Sequence, residues 1–221
     1  MSAITVADLK ANHVVNVYLT RSTEYLSQMG YTEHGLRHAG LVSGRAKKVL
    51  EDLGYSERDC ELAAIAGYLH DIANLVNRFN HGGMGAIMAY NILSNLGMPP
   101  EEIALVISAI GNHEEERGNA VNHVASALIL ADKSDVHCSR VSEKDFAKFE
   151  IHDRVNYAAK SSALTVNREQ RTITLSVTID TKICPVMEYF EIFLKRMVMC
   201  RRAAEFLNCR FGLRINGTQL L

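Results

Sequence analysis

Apolar positions over residues 1–160 recur mostly with a helical period. From about Thr5 to Met29 the pattern predicts one long helix, with "MGYTEHG" as the break that follows it. Val42, Ala46, Val49, Leu50 and Leu53 predict a second helix from Arg37 to Leu53. Gly54 closes it, because glycine enters the left-handed conformation of a helix C-terminus without steric cost. Ser56 and Asp59 have the spacing of a capping box, so the apolar run Leu62 to Leu69 belongs to a third helix, which carries the stretch "GYLHDIAN". Further helices are predicted at 83–96, 101–112, 120–138 and 143–160. The joint "LGMPPEE" supplies a terminal glycine, prolines suited to a first turn, and acids that favour a helix N-terminus.

The period changes near Ala163. Ile173, Leu175, Val177 and Ile179 alternate with Thr172, Thr174, Ser176 and Thr178, as in a half-buried strand. With "ALTV" before the polar turn "NREQ", that strand forms a hairpin. A long helix over 185–207 and a short strand at "FGLRI" follow. The expected architecture is mainly α. Residues 1–221 form a single domain, with a helical body over 1–160 and, over 161–221, a β-hairpin, long helix and short strand packed on it as a small antiparallel appendage.

Two segments echo each other. His38 to His70 and His81 to His113 have equal length and align without a gap, with Gly40 against Gly83, Ala46 against Ala89, Leu50 against Leu93, and Leu53-Gly54 against Leu96-Gly97. Each reads as an αα-hairpin turning at its Leu-Gly, which returns its closing histidine to the level of its opening one. Two packed units could therefore gather four histidines. The next residue is acidic in both, Asp71 and Glu114. Internal symmetry and coincidence of two generic amphipathic hairpins are both compatible with this match.

Composition narrows the function classes. A chain of 221 residues with 48% hydrophobic and 22% charged residues can bury one substantial core. A net charge of -1 gives no pull on nucleic acid or membrane, so neither is expected as a partner. The N-terminus has no signal-peptide pattern and no apolar run approaches a membrane span, so a cytoplasmic location is expected. Five cysteines without a CxxC pair argue for buried thiols rather than a disulfide framework. The helix "VMEYFEIFLKRMVMC" could pack intramolecularly or join copies into a homo-oligomer, with intramolecular packing expected.

His70 and Asp71 remain unexplained by packing. Adjacent residues on a helix point about 100° apart, so the two share a target only if it lies just off the helix between them. Metal coordination would account for their company: imidazole nitrogen and carboxylate oxygen suit Zn, Mn, Fe or Co, and an aspartate can bridge two ions.

The residues resemble the HD-domain superfamily of metal-dependent phosphohydrolases, whose pattern is a His, then His-Asp, then a distant Asp on a helical bundle. "RHAGLV" supplies His38, "LHDIA" supplies His70 and Asp71, and "LILADKSD" supplies Asp132, so the resemblance covers about Arg37 to Arg140. His81 in "HGGMGA" and His113 in "GNHEEE" stand where binuclear members carry extra ligands. The resemblance implies an HD-type helical bundle with two divalent transition-metal ions (Mn, Fe, Co, Zn or Ni, with Mg also admissible). One would be held by His38, His70, Asp71 and Asp132, the other by Asp71 as bridge with His81 and His113. The implied reaction is hydrolysis of a phosphoester, a nucleotide or small phosphate ester, by a metal-bridging hydroxide.

Other residues are weaker candidates. Lys133 and Arg37 could hold phosphate oxygens or be solvated cations. Glu114 could orient the second-metal histidine or shuttle a proton, and His34, four residues before His38, could replace or assist His38. Asp135, His137 and Arg140 either line the mouth or cap a helix, and His13, His123 and His152 read as structural or surface histidines. Two departures limit the substrate. Ala73-Asn74 replaces the Gly-Lys found in many members, and the "GYP" signature of cyclic-dinucleotide phosphodiesterases is missing after His113. Two rival functions fit the same ligand set, a mixed-valence di-iron oxygenase and a non-catalytic metal- or nucleotide-binding sensor.

Overall fold

Two αα-hairpins and a sheet-bearing C-terminal segment share one contiguous core in a computed structural model that describes residues 3–141, 143 and 145–221. The first hairpin pairs α3 (Leu36–Leu53) with α4 (Glu57–Leu69), and the second pairs α5 (His81–Asn95) with α6 (Pro100–Gly111). Both turn in the same way. Gly54 and Gly97 are left-handed, with φ of 84° and 81°, and the residue after each donates its N–H back across the turn: Tyr55 to Leu50 and Met98 to Leu93, both at 3.0 Å. These are the Schellman closures expected of a glycine just past a helix end, at the equivalent positions of the two aligned segments.

The N-terminal helix differs from expectation. It divides into α1 (Val6–Ala11) and α2 (His13–Gln28) at Asn12. Asn12 has extended backbone angles, and its side chain accepts from the Val15 N–H, capping α2 instead of continuing α1. Two later helices are also shorter than the 120–138 and 143–160 spans: α7 is His123–Lys133 and α8 is Ile151–Ala158. After α7 the chain turns, so that Asp135 points inward and is buried. Short 3-10 turns at Cys138–Arg140 and Phe146–Lys148 occupy the interval before α8, and Lys144, within the expected helix, lies outside the described residues.

The C-terminal sheet has four strands in the order β1 (Ala159–Asn167), β2 (Thr172–Ile179), β3 (Arg210–Ile215) and β4 (Thr218–Gln219). The expected hairpin is β1–β2, but β2 and β3 pair in parallel, with Leu175 opposite Leu213 and Val177 opposite Ile215. A parallel pair needs a crossover, and α9 (Val186–Phe206) supplies it. Tyr189, Phe193, Met197 and Cys200 on α9 are buried in the common core, so this helix packs intramolecularly and lies against α7. The five cysteines are free thiols, and no helix among the described residues is long and apolar enough to cross a membrane.

Candidate metal centre

The buried histidines and aspartates singled out by the sequence sit at helix ends. His38 is in the first turn of α3, His81 opens α5, His113 follows α6, and Asp132 lies in the last turn of α7. His70 and Asp71 are not inside a helix as the apolar pattern suggested: α4 ends at Leu69, His70 is its C-cap, and Asp71 precedes a 3-10 turn at Ile72–Leu75. That turn resolves the 100° problem. It brings Asp71 Oδ2 within 3.4 Å of His70 Nε2.

Each hairpin brings its two histidines together. Nε2 of His38 is 3.3 Å from Nε2 of His70, and Nε2 of His81 is 3.1 Å from Nε2 of His113. Asp71 stands between the pairs. Its Oδ2 is 3.7 Å from His38 Nε2, while its Oδ1 is 3.2 Å from His81 and 3.8 Å from His113. Asp132 Oδ1 joins the first pair, 3.3 Å from His38 and 3.7 Å from His70. His38, His70 and Asp71 form one group of atoms close enough to hold an ion, and Asp71, His81 and His113 form another.

The hydrogen bonds around the rings test whether a cation fits. Nδ1 of His70 meets the Gly67 carbonyl at 2.9 Å, that of His113 the Ile110 carbonyl at 2.6 Å, and that of His81 the Arg78 carbonyl at 2.9 Å. Nδ1 of His38 meets Asp135 Oδ2 at 2.7 Å. These partners are acceptors, so each Nδ1 carries a proton, and a ring that carries no second proton turns a lone pair inward from Nε2. Four inward lone pairs beside two buried carboxylates repel one another unless a positive charge lies among them. The donor set, nitrogen and oxygen without sulfur, suits a divalent metal ion.

Charge without such an ion falls on the protein itself. Burial opposes ionisation of Asp71, but His70 and His81 outweigh it and hold its carboxyl well below the usual range. Asp132 is likewise held low against burial, chiefly by Lys133 and then by His38 and His70. Burial also disfavours a charged His70, yet Asp71 and Asp132 raise its pKa from 6.5 to about 10. Burial wins at His113 and His34, which are pushed well below 6.5.

A cavity of about 310 Å³ opens over Asp71, His81, His113 and Asp132. Lys133 borders it, buried, with Nζ 2.7 Å from Asp132 and 3.2 Å from Glu115. Glu114 borders it too, accepting from the Gly82 N–H, with Oε1 2.9 Å from His81 Nδ1. His34 lies at its edge, its ring centroid 5.5 Å from that of His38 and its Nδ1 against the Thr32 carbonyl. Arg140 lines the wall but binds the backbone carbonyls of Asp135 and Glu33. Arg37 does not line the cavity. Its guanidinium is 2.9 Å from Glu33 and 2.8 Å from Asp135, behind His38 rather than in front of it. His137 caps the 3-10 turn at Cys138, and His123 pairs with Asp59 at 2.9 Å and stacks on Tyr55, both away from the centre.

Several lining residues carried no sequence signal. Arg78 lies 3.3 Å from His81 Nε2 and 3.9 Å from Asp71, Tyr31 and Phe79 flank the opening, and Arg196 reaches in from α9. Asp135, expected to line the mouth or cap a helix, instead supports His38 from behind.

The HD-domain family model matches residues 35–137. An uncharacterized protein of Methanocaldococcus jannaschii is 31% identical over 105 residues, an alignment covering 40% of this chain and 40% of that one. The chain thus matches about 40% of the length of that curated relative. The crystal structure of a predicted HD superfamily hydrolase from an uncultured Thermotogales bacterium is 20% identical, with a TM-score of 0.46, over 61% of this chain and 75% of that one.

Proposed function

We propose that this chain, which belongs to the HD-domain superfamily through residues 35–137, is a metal-dependent phosphohydrolase with a binuclear site. One observation carries the reading: Asp71 presents Oδ2 to the His38–His70 pair and Oδ1 to the His81–His113 pair. A carboxylate so placed is a bridging ligand in waiting. Two divalent ions held there supply an acidified water and neutralise the charge of a phosphate ester.

The protein's own groups complete the site. Lys133 has three N–H donors and two carboxylate partners, so its ammonium retains a donor for a phosphoryl oxygen. Arg78 offers a second cation near Asp71, with no carboxylate closer than that 3.9 Å contact among the described residues. Glu114 fixes His81 and lies near enough to the cavity to take or return a proton. The cavity volume suits a small phosphate ester or nucleotide. The experiment is elemental analysis of the purified protein, followed by a phosphate-release screen with Mn, Co and Mg. About two ions per chain and release that Asp71→Ala abolishes are expected. Bound iron with oxygen uptake and no phosphate release would overturn the reading.

A further inference from the structure

Arg196 belongs to α9, beyond the segment matched by the family model, yet it borders the cavity. Its Nε is 2.7 Å from Glu115 Oε1, and that same oxygen is 3.2 Å from Lys133 Nζ. Lys133 in turn stands 2.7 Å from Asp132 Oδ2. Alternating charges therefore run from α9 to a site carboxylate: Arg196, Glu115, Lys133, Asp132. The Arg196 guanidinium also lies 4.4 Å over the ring of Phe193, which is fully buried in the core, so this contact favours its place beside Glu115.

We propose that Arg196 is a positioning residue: by neutralising Glu115 it keeps the Lys133 ammonium beside Asp132, where it can meet an anionic oxygen of the substrate. The inference rests on the phosphohydrolase reading. Lys133 lies between two carboxylates, and the balance between them sets where its charge resides. With Arg196 in place, Glu115 Oε1 is shared and its closer partner is the arginine. Without Arg196, a largely buried carboxylate keeps Lys133 as its nearest cation and draws it away from Asp132. The C-terminal segment would thus act on the site through charge alone, without supplying a ligand.

The test uses the metal-loaded full chain and the phosphate ester it turns over fastest, with inorganic phosphate as a second probe. Arg196→Gln should raise KM and the inhibition constant for phosphate about tenfold while kcat changes less than about threefold. Metal content should stay at the wild-type level, and Arg196→Lys should recover most of the loss. The decisive variant is the double substitution Arg196→Gln with Glu115→Gln. It removes the competing charge along with its partner, so KM should return toward the wild-type value, whereas a packing role for Arg196 predicts no such rescue. Unchanged KM in Arg196→Gln, or a double variant as impaired as the single, overturns the inference while leaving the phosphohydrolase reading intact. A wild-type protein that neither releases nor binds phosphate overturns both.

Discussion

Asp135 Oδ2 lies 2.7 Å from Nδ1 of His38, and both side chains are buried. The carboxylate is held from behind by Arg37 at 2.8 Å and by Arg140 at 3.7 Å. Burial would raise its pKa, but His38 and the two arginines keep it ionised. It thereby sets the tautomer and the angle of the His38 ring, as outer partners of metal-binding histidines do. Asp135→Ala should weaken metal binding by about 10- to 100-fold, measured by competition with a chromophoric chelator. Wild-type affinity in that variant would mean that packing alone orients His38.

The bridging role proposed for Asp71 separates two further variants. His81→Ala removes a proposed ligand that faces only Oδ1 of Asp71, leaving His38, His70 and Asp132 in place. Asp71→Ala removes the contact common to both pairs. Bound metal should fall from about two ions to about one per chain in the first variant and toward zero in the second, by elemental analysis. Equal metal content in the two variants contradicts a shared bridge.

The hairpins were legible because their signals are local. Leu53-Gly54 and Leu96-Gly97 carry their own turn chemistry, and a hairpin of fixed length returns its closing histidine to its opening one. That arithmetic anticipated the pairs His38–His70 and His81–His113. What escaped was either locally ambiguous or remote. Asn12 fits an amphipathic helix as well as it caps one, so periodicity ran through it. Arg37 adjoins His38 in sequence, but neighbours on a helix face different ways, and its guanidinium pairs behind the ring. Asp135 meets His38 across 97 residues, and Arg196 arrives from a helix placed by sheet pairing. No local pattern encodes either contact.

Proton linkage follows from His70. In the metal-free protein its pKa is raised from 6.5 to about 10, burial being outweighed by Asp71 and Asp132. Its stabilising contribution is therefore fully present below about pH 6.5 and is lost as pH rises toward about 10. The melting-temperature gap between the metal-free wild type and His70→Gln should narrow across that window. The contributions of Asp71 and Asp132 have the opposite sign, present above 3.8 and lost as pH falls. Since a metal must take Nε2 deprotonated, binding should release a proton at neutral pH and tighten by up to about tenfold per pH unit. Calorimetric titrations in buffers of differing ionisation enthalpy count that proton. Finding none would place the charge elsewhere.

Gly67 couples helix packing to the site. A Cβ there would lie 2.8 Å from Ser43 Cα and 2.9 Å from Ser43 N, so α3 and α4 meet backbone to backbone at this point. The Gly67 carbonyl is also the acceptor for His70 Nδ1. Alanine would force α4 away from α3 and shift His70 relative to His38, so Gly67→Ala should cost about 1–3 kcal/mol of stability and weaken metal binding together. Gly44 gives the control. It lies on α3 with nothing within 4 Å of its would-be Cβ, and Gly44→Ala should be neutral or stabilising by up to about 1 kcal/mol, from helix propensity alone. Thermal melts with and without metal distinguish the two. A destabilised Gly67→Ala with undiminished metal affinity would show that the His38–His70 spacing does not depend on this helix contact.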